Sequence, residues 1–320
     1  VRPPEAAVRR ADADRRGGLL WAAAAFTMWG LSTLFWPLLV PAGPIEVLMH
    51  RIVWAFVLSA VLMSVLRSWG SLRGLNARTW SLIAAGGVLN AANWGLFIFA
   101  VLSGQVISAS MAYFLNPIAS AAFGVLVLRE RPRATQIAAL AIGSGAVVAT
   151  GFAAGGNVWL PLLMATCFGL YALVQRVVRL APVATLTGES AVLFPLAIGV
   201  LAILQLTGES TLLDQGLSHV VLFVVGGAVT LAPLLAFAYA ARRTPLSTMA
   251  VMQYIAPLIQ FCVGVFVMGE PMPAARWIGL ALVLVAVAVF TTGEIAAARH
   301  RARPSGRKGW GPQRSAAMPD

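Results

Sequence analysis

Two stretches decide the fold: FLNPIASAAFGVLVLRE, residues 114–130, and YIAPLIQFCVGVFVMGE, residues 254–270. Each is an apolar run of helical length with a proline near its start and a carboxylate at its end. Pro117 and Pro257, Gly124 and Gly264, and Glu130 and Glu270 are each 140 residues apart. The same offset of 140 pairs Gly87 with Gly227, Phe97 with Phe237, Ala100 with Ala240, Val125 with Val265 and Val127 with Val267. A register held without a gap over two successive apolar runs marks an internal duplication, beyond the general likeness of apolar helices.

Working outward, a membrane-crossing helix needs about 20 predominantly apolar residues. Ten stretches qualify, at 18–40, 45–66, 79–102, 105–128, 134–152, 158–178, 185–206, 219–241, 246–268 and 275–292. The duplication divides them into five and five. Five is odd, so the second half enters the bilayer from the opposite side. The expected fold is an all-α membrane protein of ten transmembrane helices in two inverted-topology five-helix repeats, the plan of many secondary transporters. Residues 1–17 and 293–320 form basic tails around a first repeat at 18–152 and a second at 158–292. The first apolar stretch is too long for a signal-peptide core and is expected to stay as a helix. Whether Val1 is the natural start stays open.

Composition agrees. Of 320 residues 59% are hydrophobic and 11% charged, against about 45–50% and about 25% in soluble domains, so too few polar residues remain to clothe a soluble globule. The net charge of +12 reads as topology. With both tails cytoplasmic, 21 of the 23 Lys and Arg fall on the cytoplasmic side, Arg51 and Arg276 being the exceptions, as the positive-inside rule requires. The surplus is expected to attract anionic lipid at that face. Nucleic acid is excluded as a partner, since no aromatic-interleaved basic patch is present.

Polar groups inside a bilayer are costly, so each is a candidate for a solute pathway, weighed against helix-to-helix hydrogen bonding. Glu46 and His50, spaced i,i+4, share a face of the second span with Arg51 adjacent, so the three can meet near its outer end. Arg51 offers fixed charge to a carboxylate or phosphate and His50 a proton site near neutrality; alternatively Arg51 snorkels to the interface and Glu46 neutralises it. Asn90 and Asn93 share a face of the third span with Trp94, fit to hold a polar solute or to cross-link two helices. Pro117 and Pro257 deprive the carbonyls of Tyr113 and Gln253 of a donor. Asn116 stands beside the first kink and Tyr254 beside the second. Glu189 either complements the dipole in the first turn of the seventh span or, if that span starts nearer Val183, lies deeper and can carry a proton. Glu130 and Glu270 are expected to fix helix ends or gates.

The halves resemble the two repeats of the drug/metabolite transporter superfamily, the EamA family. MWGLSTLFW (28–36), EVLMHRIVW (46–54), NAANWGLFIFAV (90–101) and SASMAYFLNP (108–117) resemble its RarD group of bacterial permeases. That group commonly has Leu-Gly where this chain has Met111 and Ala112, a departure that leaves the likeness intact over residues 18–292. The resemblance implies a multi-pass permease of the bacterial plasma (inner) membrane, for amino acids, metabolites or drugs.

Catalysis is not expected. There is no Gly-rich phosphate loop with Lys-Ser/Thr, so no ATP motor; the only Lys is Lys308, so no span can form a Schiff base. Three separated histidines and two cysteines give neither metal-ligand spacing nor a disulfide framework. His50 reads as the only intramembrane histidine, which leaves no nucleophile and base pair. No cofactor and no metal are expected. The expected function is alternating-access transport of a small polar or amphipathic solute through Arg51, Asn90, Asn93, Trp94, Tyr113, Asn116, Gln253 and Tyr254. Glu46, His50 and Glu189 are the candidates for proton coupling. A permease-fold receptor or scaffold is the alternative, an intramembrane enzyme acting on lipid is weaker still, and homodimer formation is left open.

Overall fold

The computed structural model describes residues 5–129, 133–153, 159–178, 180–244 and 246–302. Among them every regular element is helical. The first half comprises α1 (Glu5–Phe35), α2 (Pro44–Val65), α3 (Ala77–Leu102), α4 (Val106–Leu128) and α5 (Ala134–Ala153). The second comprises α6 (Trp159–Val177), α7 (Pro182–Thr207), α8 (Leu217–Ala241), α9 (Leu246–Met252), α10 (Ile255–Cys262) and α11 (Ala274–Ala302). Eight helices are long and apolar enough to cross a membrane, and shorter apolar helices at Ala134–Ala146 and Ile255–Val267 occupy the places of the fifth and ninth expected spans. The helices continue into both expected tails, α1 from Glu5 and α11 to Ala302.

Local chemistry sets the helix starts. Proline opens α2 and α7 at the first helical position, where its missing N–H costs nothing and its fixed φ suits the helix. Asn76 caps α3, its side chain accepting from the Thr79 N–H at 2.8 Å. The two prolines of the opening motif act differently. Pro117 lies inside α4, which runs on through it. The ninth span is interrupted at Gln253 and Tyr254, and Pro257 falls in the first turn of α10, where no donor is needed. The expected matching breaks are therefore a Pro-bearing continuous helix in one half and a true interruption in the other. A π-helical turn at Val263–Val267 follows α10.

Packing partners survive exchange of the halves. α1 lies on α8 and α6 on α3, α2 on α8 and α7 on α3, α4 on α6 and α10 on α1. Across the exchange α2 crosses α7, α4 crosses α10, and α5 pairs with α11. The repeated glycines explain the closest crossings. A Cβ on Gly227 would lie 2.7 Å from the backbone carbon of Trp54, and one on Gly87 would lie 3.0 Å from the carbonyl oxygen of Glu189. Small residues at these points let α8 meet α2, and α3 meet α7, backbone to backbone.

Candidate functional site

The close crossing of α3 on α7 brings Glu189 into a polar cluster. α7 begins at Pro182, so Glu189 lies two turns inside the helix and is 2% exposed, which removes the first-turn dipole reading. Asn90 donates to one carboxylate oxygen at 3.3 Å and Gln175 to the other at 2.7 Å, and Tyr171 also hydrogen-bonds the carboxylate. Tyr171 and Gln175, an i,i+4 pair on α6, escape the sequence reading. Gln175 stands beside Arg176 at the end of a span and looks interfacial, although a polar pair on one helix face was the available signal.

Arg51 is also two turns into its helix and is 4% exposed. It does not snorkel: its guanidinium lies over the Trp94 ring at 4.1 Å, a cation–π contact. Among the described residues no ion pair engages it, and its Nε lacks an acceptor. Glu46 and His50 do not join it. Glu46 turns to the α7–α8 loop and accepts from Ser210 Oγ at 3.0 Å, the Thr211 N–H at 2.8 Å and Thr211 Oγ1 at 3.0 Å. His50 lies against Phe223, ring centroids 4.0 Å apart, and its Nε2 is unpartnered. A second buried histidine, His219, stands in the first turn of α8, 3.0 Å from Thr211 Oγ1, so His50 is not alone within the spans.

Trp94 leads from Arg51 to the next group. Asn93, one residue before it, donates to the Met164 carbonyl at 2.9 Å and accepts from the Tyr113 hydroxyl at 3.3 Å. Asn93 is thus a cross-link between α3, α6 and α4. Asn90, Asn93, Trp94, Tyr113 and Arg51 come together. Tyr254 belongs to another cluster, stacked on Phe114 at 6.2 Å and packed with Phe261 and Leu280. Gln253 marks the α9–α10 interruption. Asn116 is buried with its Oδ1 unpartnered, as is Gln260 Oε1. The expected single site therefore divides into an Arg51–Glu189 group and a group beside the interrupted helix.

A second carboxylate closes the end where α4 starts. Glu270 accepts from the backbone N–H of Val106 and, at 3.1 Å, from that of Ile107, capping the N-terminus of α4. Gly264 permits the approach, since a Cβ there would lie 3.0 Å from Ile107. Burial pushes the Glu270 carboxyl up, and the two N–H donors pull it back. Glu130, its sequence counterpart, lies outside the described residues. No group of three or more His, Cys, Asp or Glu among the described residues can hold a metal.

With this geometry, the comparisons define the class. The EamA-like transporter family model matches residues 16–152 and 155–292, so each half of the chain matches it once. The chain belongs to that family and is a multi-pass membrane protein. It is 40% identical to Protein RarD of Streptomyces exfoliatus, over 92% of this chain and 94% of the relative. It is 34% identical to the uncharacterized transporter YojE of Bacillus subtilis, over 88% and 96% of the two chains. Identity to Protein RarD of Escherichia coli is 32%, over 88% and 95%. A solved crystal structure covering 87% of this chain and 98% of its own shares the fold at a TM-score of 0.55 with 19% identity.

Proposed function

We propose that this chain is a non-catalytic permease of the bacterial inner membrane that moves a small polar or amphipathic solute by alternating access, without ATP. Arg51 carries the reading. A buried cation with no counter-charge costs several kcal/mol in a medium of low dielectric, and a solute group arriving at the guanidinium offsets that cost. Membership of a transporter family and the transporter names of relatives support the reading. The exchangeable packing partners and the 140-residue register support inverted halves, an arrangement in which transporters commonly hold the solute between the halves near the midplane. Arg51 lies on α2 of one half and Glu189 on α7 of the other.

The end bearing Glu46 and Glu270 faces outward in this reading, since 21 of 23 basic residues belong to the opposite side. Both termini are then cytoplasmic. The two carboxylate clamps close the outer mouth, and the other state of the cycle releases at least one of them. Proton coupling falls to His50 and Glu189, because Glu46 is engaged by the loop.

The test is uptake by the purified chain in proteoliposomes, offered labelled amino acids, nucleosides and chloramphenicol in turn. Flux of one class above protein-free vesicles supports the permease. Binding detected by thermal shift, with no flux of any bound compound, replaces it with a receptor. If a pH gradient and His50→Ala both leave flux unchanged, proton coupling is abandoned.

A further inference from the structure

The loop between α7 and α8 is fastened to the bundle by side chains. α7 is capped by Gly208, and the N–H groups of Glu209 and Ser210 both bond back to the Leu204 carbonyl, at 2.9 and 3.1 Å. α8 begins after Gly216, whose φ of 76° and ψ of −179° fall in a region essentially reserved for glycine. Between these two ends, residues 211–215 make no backbone-to-backbone hydrogen bond to either helix among the described residues. The Thr211 N–H goes instead to the Glu46 carboxylate, at 2.8 Å.

The side-chain bonds have a fixed direction. An ionised carboxylate only accepts, and a hydroxyl has one hydrogen to give. Thr211 Oγ1 gives its hydrogen to Glu46 at 3.0 Å, so at its 3.0 Å contact with His219 Nε2 it accepts and the histidine donates. One chain of bonds therefore runs from α8 through the loop to α2. Leu212, the next loop residue, packs on the core cluster that holds Trp36, Phe223 and Trp94, and Trp94 lies under Arg51. From the loop inward, Glu46, His50 and Arg51 follow one another along α2, and His50 Nε2 has no partner.

The Glu270 clamp is built differently. Its own N–H bonds the Gly264 carbonyl at 3.0 Å, and its carboxylate holds the first N–H groups of α4. Releasing Glu270 uncaps a helix. Releasing Glu46 frees only a loop, and water admitted at the opening supplies the bonds that the carboxylate and Thr211 lose.

We propose that residues 211–215 are a lid on the outer mouth, latched by Glu46 and His219 and hinged at Gly216, and that this lid opens in the transport cycle while the Glu270 clamp stays shut. This rests on the permease reading and names the moving part of its outer gate. Lifting the lid withdraws Leu212 from the core cluster and uncovers the line from Glu46 through His50 to Arg51.

The test uses full-length protein carrying Cys262→Ser, with Cys167 kept as a buried thiol. Leu212→Cys reports the packed side of the lid and Asp214→Cys its exposed tip. Each is labelled in detergent at one pH with a thiol reagent, and the sites are read by mass spectrometry. Leu212→Cys is expected to react at least tenfold more slowly than Asp214→Cys. Glu46→Gln, Thr211→Val and Gly216→Ala are each expected to remove most of that difference while Cys167 stays unlabelled. Thr211→Ser, which keeps the hydroxyl, and Glu270→Gln are expected to preserve it. A slow Leu212→Cys reaction that ignores Glu46→Gln and Gly216→Ala overturns the latch, as does labelling of Cys167 alongside it, which marks general unfolding. Equal release by Glu270→Gln overturns the assignment of one moving clamp.

Gating is read in proteoliposomes. Glu46→Cys with Thr211→Cys, at positions whose native side chains meet at 3.0 Å, is joined by a short bifunctional methanethiosulfonate reagent. Uptake of labelled amino acids, nucleosides or chloramphenicol is expected to stop on linking and to return on reduction. Uptake that continues through the linked protein overturns the lid as a gate. A native chain that takes up none of these compounds, with the labelling pattern intact, removes the permease and keeps the latched lid.

Discussion

The buried charges at the end where α2 and α4 start and those in the middle of the bundle are satisfied in opposite ways. At the end, Glu46 takes three donors from the α7–α8 loop and Glu270 takes two backbone N–H groups of α4. Each carboxylate is completed by the chain and fastens one segment to another. Two turns inside their own helices, Arg51 has an aromatic ring and no acceptor at Nε, and Glu189 has neutral donors only. Charges of similar burial thus divide into a fastening set and an unfilled set. The unfilled set is where a ligand belongs.

The largest expected effect separates those sets at Arg51. Arg51→Met keeps volume and removes the charge. It is expected to lower uptake of the transported solute about 100-fold, in line with the 2–5 kcal/mol typical of truncating a buried charged contact, while leaving the melting temperature unchanged or raised, because an unpaired buried cation destabilises the fold. Uptake and a melting curve on one preparation check both halves; a lowered melting temperature with near-normal uptake makes Arg51 structural.

Much of the fold was legible because repetition and apolar length are written directly in sequence. Glu46, His50, Arg51, Asn90 and Glu189 stood out as polar groups in apolar runs. Their partners did not, because contacts between residues far apart in the chain have no local signature: Ser210 and Thr211 looked like an ordinary loop, and Tyr171 and Gln175 like a helix end. Glu46 and His50 share a helix face, yet each faces a different neighbour, so i,i+4 spacing alone could not distinguish a cluster from two separate contacts. Pro117 and Pro257 keep the same sequence register, yet one lies inside a continuous α4 and the other in the first turn of α10, a difference in where the helix starts that the sequence pattern does not carry.

Close crossing supplies the next effect. Gly227→Ala puts a Cβ against the Trp54 backbone at 2.7 Å, and overpacking of this kind costs about 1–3 kcal/mol. Gly87→Ala meets the Glu189 carbonyl at 3.0 Å and is expected to cost less. Melting temperatures should fall in that order; equal or reversed losses would deny that the repeated glycines set the crossings. At the fastening end, Glu270→Ala removes the α4 cap and is expected to cost about 1 kcal/mol, within the range for helix caps, with uptake retained within tenfold. A loss of uptake as large as that of Arg51→Met would dissolve the contrast between the two regions. The smallest effect is expected for Asn93→Ala, an interhelical cross-link worth about 0.6 kcal/mol by the membrane average, read as a slight fall in melting temperature.

Sidedness tests the central claim most directly. With Cys167 and Cys262 replaced by serine, Asn90→Cys and Tyr113→Cys are probed with a membrane-impermeant thiol reagent applied from one face and then from the other. Alternating access predicts that both positions react from each face, and that added solute slows labelling from both. Reaction from a single face only, unchanged across conditions that support uptake, would contradict the account.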